Sequence, residues 1–133
     1  MSDTQARLSG MLANLQNPKL NKKNPHFGNR YADLESILRE VKPVLEQYHF
    51  RLVQSKHGES FRSVLVDADT GEGALAVETP FILDKQTPQA VGSALTYYRR
   101  YGILLLLNAV GEEDDDAEAA MGRKAKTNEK EDW

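Results

Sequence analysis

The sequence predicts an α+β domain in which an antiparallel three-stranded meander packs on helices. Three observations carry that reading. Apolar residues recur at helical spacing across residues 34–48. Three β-rich runs then follow, separated by short turns that contain Gly. After them, Thr87-Pro88 has the residue types of a helix start. The order is α-α-β-β-β-α with an acidic tail, and one sheet covered by helices on one face is an α+β arrangement.

Each element has its own justification. Residues 2–16 read as an amphipathic helix, because Leu8, Met11, Leu12 and Leu15 share a face and Ser2, Asp3 or Thr4 can cap it. Asn17-Pro18 stops it. Residues 17–30 read as a polar loop with Lys19, Lys22, Lys23, Arg30 and no acid; Pro25 and Gly28 argue against a helix or strand there. Asp33 is placed to cap the second helix, which carries Leu34, Ile37, Leu38, Val41, Val44, Leu45 and Tyr48 at helical spacing. Pro43 lies inside it and is expected to kink or restart it.

The strands are expected at 50–56, 60–68 and 74–83. His57-Gly58-Glu59 and Asp69-Thr70-Gly71-Glu72-Gly73 supply the turns of a meander. Pro80 cannot donate a ladder bond, so the third strand ends there or lies at an edge. The last helix runs from Pro88 towards Leu107. Gly92 and Gly102 each weaken it by roughly 1 kcal/mol relative to Ala, which points to close packing at both positions. Residues 1–111 are therefore expected to form the domain and residues 112–133 an acidic tail without a core, disordered or helical and solvated.

Composition narrows the function. The chain has 133 residues and no Cys, which excludes disulfides, thiolate catalysis and Cys-based zinc sites. No apolar run approaches the ~20 residues of a membrane helix, and the first residues lack a secretory pattern, so a cytoplasmic protein is expected. Residues 1–110 hold 13 Lys+Arg against 11 Asp+Glu, a charge of +2; residues 111–133 hold 4 against 9, a charge of −5. A mildly basic body with an acidic tail often accompanies nucleic-acid binding.

There is no phosphate-cradling G-x-x-x-x-G-K-[ST], no G-x-S-x-G, no H-E-x-x-H and no G-x-G-x-x-G. His26, His49 and His57 lack metal-ligand spacing. No catalytic group, metal site or cofactor is therefore expected, and the chain reads as a binder.

Two segments stand out. In Lys19–Tyr31, four cations are interleaved with Phe27 and Tyr31. Single-stranded nucleic acid is held by cations on phosphates and aromatic faces on bases. The other reading is a solvated loop whose aromatics anchor to the core. In Gln89–Tyr101, Arg99 and Arg100 stand among Tyr97, Tyr98 and Tyr101, and the planar guanidinium suits phosphate. Part of that aromatic cluster must be packing. Glu112–Asp116 has oxygen ligands for a divalent cation, but consecutive acids more often form a solvated face.

These residues carry a resemblance. NPHFGNRYADLESIL, residues 24–38, and TPQAVGSALTYYRRYGILLLLNAVGEEDDDA, residues 87–117, resemble two signatures of the essential recombination function (ERF) family of phage single-strand annealing proteins. The resemblance implies an ATP-independent protein that coats single-stranded DNA and pairs complementary strands. It implies a β-β-β-α core similar to that of ring-forming eukaryotic annealing mediators, and a homo-oligomer, ring or helical filament. By position it implies DNA-binding roles for Lys22, Lys23, His26, Phe27, Arg30 and Tyr31, and for Tyr97, Arg99, Arg100 and Tyr101; Lys19 joins them on residue type. Members are commonly longer, with a second C-terminal region. The tail's end, Asn128–Trp133, is similar to the tips of bacterial single-strand-binding proteins, which recruit host repair partners. A double-stranded RNA-binding module shares the α-β-β-β-α order but needs a lysine cluster at the last helix start, where this chain has Thr87-Pro88-Gln89-Ala90. A metal-dependent nuclease using residues 112–116 is the third reading.

Overall fold

The computed structural model describes residues 2–113. The elements are α1 (Asp3–Asn14), β1 (Lys22–Lys23), β2 (Arg30–Tyr31), α2 (Leu34–Tyr48), β3 (Phe50–His57), β4 (Ser60–Asp67), β5 (Gly73–Pro80) and α3 (Pro88–Leu107). The expected α+β class is present: β3-β4-β5 form an antiparallel three-stranded sheet, in that order, packed on helices.

Local chemistry sets the helix ends. Ser2 and Gln5 form a reciprocal capping box at the start of α1. The Asp33 carboxylate accepts from the Ser36 N–H at α2, and the Thr87 hydroxyl accepts from the Ala90 N–H at α3. His49 and Asn108 close α2 and α3 in the left-handed conformation, with φ of 64° and 56°. Pro43 does not restart α2, which is one helix from Leu34 to Tyr48. Pro43 and Arg39 are both exposed, so the carbonyl that loses its donor faces water.

One sheet face is buried. Phe61, Ser63, Leu65 and Asp67 alternate inward along β4, and α3 lies over β4 and β5 while α2 flanks β3. Ile37, Val41, Leu45, Phe50, Leu65, Ile103, Leu106 and Leu107 form the core, with Met11 of α1. A polar anchor holds α1: Arg7 reaches Asp67 at 2.6 Å and the Tyr48 carbonyl at 2.7 Å, and the Thr4 hydroxyl donates to Asp67 at 2.5 Å. The bond from Thr4, with further bonds from the Asp69 N–H and Arg7, holds the Asp67 carboxyl down at about 2 against the cost of its burial.

The two helical glycines differ. A Cβ at Gly102 would run into Ser63 Oγ and lie 3.2 Å from Gln54 Nε2, so α3 sits directly on the sheet there. Gly92 has nothing within 4 Å, so the close packing expected of it is absent; it lies near the exposed start of α3.

Candidate nucleic-acid interface

The polar loop expected over 17–30 contains a small β-hairpin. Lys22 pairs with Tyr31 and Lys23 with Arg30, antiparallel. Pro25 and Gly28 do not oppose it, because both fall in the turn and neither is asked to join the ladder. Asn24 locks that turn: its side chain accepts from the His26 and Phe27 N–H groups, and its carbonyl accepts from Gly28. Gly28 supplies the left-handed residue, with φ of 75°. The result holds Phe27 outward, 68% exposed, with the His26 ring edge-on at 6.5 Å.

The chain after α3 returns to this hairpin. Glu112 bridges Tyr31, the Ala32 N–H donates to the Gly111 carbonyl at 2.6 Å, and the Glu113 N–H donates to the Arg30 carbonyl at 3.1 Å. The Glu113 carboxylate accepts from the Arg30 N–H at 2.6 Å and meets Arg30 Nε at 3.4 Å. That backbone donor holds the Glu113 carboxyl below its usual range. So Glu112 and Glu113, expected as the start of a solvated tail, form a third line of backbone beside β2. The remaining acids, Asp114–Asp116, and the tail residues Asn128–Trp133 lie outside the described residues.

Arg100 ties the two segments together. Its guanidinium lies 4.7 Å from the Tyr31 ring centre and 5.2 Å from that of Tyr101, with Glu112 at 3.7 Å. Its side chain is 17% exposed, and its Nε has no hydrogen-bond partner among the described residues. The Tyr101 hydroxyl donates to Glu112; burial, then that bond, pushes the phenol above its ordinary pKa. Tyr97 is 53% exposed, with its ring 4.7 Å from that of Tyr101. Tyr98 turns the other way, onto Phe61 and Phe81.

The sequence-selected residues therefore divide. Arg30, Tyr31, Arg100 and Tyr101 come together in one cluster, with exposed Tyr97 tilted against Tyr101 and Lys22, Lys23, His26 and Phe27 on the hairpin. Lys22 lies 4.0 Å from Asp33, whose carboxyl the Ser36 N–H holds below its usual range. Lys19 is exposed, and its carbonyl accepts from the Ser36 hydroxyl at 2.7 Å. Arg99 does not join the cluster. It lines a groove of about 690 Å³ with Leu38, Lys42, Leu45, Glu46, Phe50, Arg51, Leu52 and Gln54. Lys42 and Arg51 were not singled out from the sequence. The available signal was faint: Arg39 and Lys42 fall three residues apart on α2, beside a Leu38 read only as core.

Among the described residues no helix is long and apolar enough to cross a membrane, and no group of His, Cys, Asp or Glu could hold a metal ion. Fold and cluster together define a small α+β domain that presents cations and open aromatics around a clasped hairpin. The chain belongs to the ERF superfamily, whose family model matches residues 5–132, nearly the whole chain. That membership places it in the functional class of recombination and strand annealing, with DNA as the general partner. No curated protein and no solved structure gives a match.

Proposed function

We propose that this chain is a non-catalytic single-stranded DNA-binding protein. It anneals complementary strands without ATP, as a ring or filament of identical protomers, in phage recombination within the bacterial cytoplasm. The observation that carries this reading is the clasp. The two segments of the family resemblance, far apart in sequence, meet where Glu112 bridges Tyr31 and Arg100 covers its ring. Around the clasp, Lys19, Lys22, Lys23 and Arg30 would meet phosphates, while Phe27 and Tyr97, both more than half exposed, offer faces to bases. Tyr31, Arg100 and Tyr101 would shape that surface, and His26 would back Phe27.

The body is only mildly basic, so one protomer has modest attraction for DNA. A continuous track of protomers raises avidity without new contacts. Bases left outward on such a track stay available for pairing. Recruitment of host recombination or single-strand-binding proteins through the tail belongs to the same reading.

The test is the annealing rate of two complementary labelled oligonucleotides, followed by fluorescence quenching without ATP, with and without magnesium. Acceleration, falling steeply with salt through counterion release, is the expected result. No acceleration together with no single-strand binding would overturn the reading. Shortened oligonucleotides in magnesium would make the chain a nuclease instead.

A further inference from the structure

The groove beside Arg99 is separate from the clasp. It has two adjoining hollows that share Leu38, Lys42 and Arg99. The larger, of about 690 Å³, falls within the roughly 300–1,000 Å³ of pockets that hold small ligands. Leu38 and Leu52, both half-buried, give it an apolar floor. Phe50, Arg51, Leu52 and Gln54 of β3 all line it, from both faces of the strand, so the strand's edge is turned to the hollow. β3 lies at the edge of its sheet, and N–H and C=O groups on that side lack a ladder partner and can pair with an extended peptide. Glu35 is taken by Arg39 at 2.8 Å. Lys42, Arg51 and Arg99 have no ion-pair partner among the described residues, and Glu46 is the one other acid of the lining. The chain itself carries the complementary set: Glu129, Lys130, Glu131, Asp132 and Trp133 are three acids, one cation and an indole.

We infer that residues 129–133 of the acidic tail dock in this groove, with Glu129, Glu131 and Asp132 on Lys42, Arg51 and Arg99 and the Trp133 ring on Leu38 and Leu52. The inference does not rest on the function proposed above. The segment lies within reach. Glu112 sits 3.7 Å from Arg100, the neighbour of Arg99, so the chain leaves the described residues one position from the groove along α3. From Glu113, the 16 residues to Glu129 can span up to about 55 Å, while the groove runs about 18 Å along α2 from Leu34 to Glu46. Other stretches of the tail fit less well. Asp114, Asp115, Asp116 and Glu118 bring charge with only Ala117 and Ala119 beside them, and Arg123, Lys124 and Lys126 bring the wrong sign. Trp133 has the apolar body and polar N–H that suit a floor open to water at one side. Lys130 has Glu46 to meet. Because the segment is tethered, the contact is intramolecular and weak pairs suffice to hold it. Docked, it would keep the tail on the domain until a stronger polyanion displaced it.

Trp133 is the single tryptophan of the chain, so its fluorescence reports the contact directly. The test follows its emission maximum and its quenching by acrylamide in the full chain. It compares the wild type, a groove variant (Lys42→Glu, Arg51→Glu), the same variant carrying Glu131→Lys and Asp132→Lys, and a hairpin control (Lys22→Gln, Lys23→Gln). Lys42, Arg51, Lys22 and Lys23 are exposed, so melting curves should stay close to the wild type. The wild type should show blue-shifted emission and weak quenching at low salt, and should lose both at about 1 M salt, where the Debye length falls to about 3 Å. The groove variant should show the emission and quenching of a solvated indole at every salt concentration. Reversing the tail charges as well should restore the shielding, which a merely damaged fold would not allow. The hairpin control should match the wild type. A solvated Trp133 in the wild type would overturn the inference, and so would shielding that survives in the groove variant. Shielding that fades on dilution would assign the groove to the tail of a second copy instead. The readout does not involve annealing, so the proposed function stands or falls separately.

Discussion

The clasp and the groove are both basic, yet they use their charges differently. At the clasp, Arg30 is held by Glu113 and Arg100 by Glu112 and two tyrosine rings. In the groove, Lys42, Arg51 and Arg99 meet no acid within ion-pair distance among the described residues. Arg99 and Arg100 are neighbours in sequence and stand on opposite sides of this divide. A count of cations treats them alike; their surroundings make one a structural rivet and leave the other open to a ligand. The groove is lined by Lys42, Arg51, Arg99 and Arg39 against two acids, Glu35 and Glu46, so a chain of low net charge still gathers an excess of cations there.

Both regions suffer most when α3 loses its seat, because α3 carries an arginine to each. Gly102→Val would drive a side chain into Ser63 Oγ, which is buried and hydrogen-bonded to Gln54 at 3.0 Å. Overpacking of this kind costs about 1–3 kcal/mol. Chemical denaturation should show that loss, and unchanged stability would mean that the helix can lift from the sheet at little cost.

The next effect separates the two arginines directly. Arg100→Ala removes a guanidinium that lies against two tyrosine rings and leaves the Glu112 carboxylate with the Tyr101 hydroxyl but no cation. A cost of about 1–3 kcal/mol is expected. Arg99→Ala, at an exposed position, should stay within about 0.5 kcal/mol of wild type. Equal melting temperatures for the two variants would erase the distinction between rivet and open cation.

Acid acts on the carboxylates that hold α1 and the clasp. The Asp67 carboxyl, anchoring α1, falls from an ordinary 3.8 to about 2 in the folded chain. A carboxyl with a depressed folded pKa stabilises the fold above its unfolded value, and that stability is lost as pH falls through the folded one. The loss from Asp67 therefore spans about pH 4 down to about 2. Glu113 is also held below its usual range by the Arg30 N–H, so protonating it should loosen the clasp. Circular dichroism should show unfolding on acidification, and Asp67→Asn should flatten its dependence on pH. An Asp67→Asn profile that matches wild type would show that the anchor is not the acid-sensitive joint.

Much of the scaffold was legible in the sequence, for physical reasons that also explain what was missed. The second helix and the meander announce themselves by periodicity, because each buries one face. The caps at Asp33 and Thr87 are local chemistry and were read from single residues. The β1–β2 hairpin has no such signal. Its ladder is two residues per strand, and its lasting partner is Gly111–Glu113, about eighty positions away. The groove was missed because Lys42, Arg51 and Arg99 come from three elements and meet only in space. The resemblance pointed to Arg99 and Arg100 together; nothing in the string of letters separates a cation capped by tyrosines from one left open.

The smallest expected effect comes from the other glycine of α3. Gly92 lies in the first half of the helix and has nothing within 4 Å of a built Cβ. It serves no close contact, so its cost to the helix is uncompensated in the described residues. Gly92→Ala should therefore stabilise the chain by about 0.4–1 kcal/mol, through a better helix former and a less free unfolded chain. The change lies upstream of both arginines and touches neither, so the shielding of Trp133 should be the same in either background. A loss of stability would instead mean that a glycine is needed there. With open space around it in the single chain, that need would come from a second protomer packed against this face, and the substitution would then lower the oligomer's stability more at high protein concentration than at low.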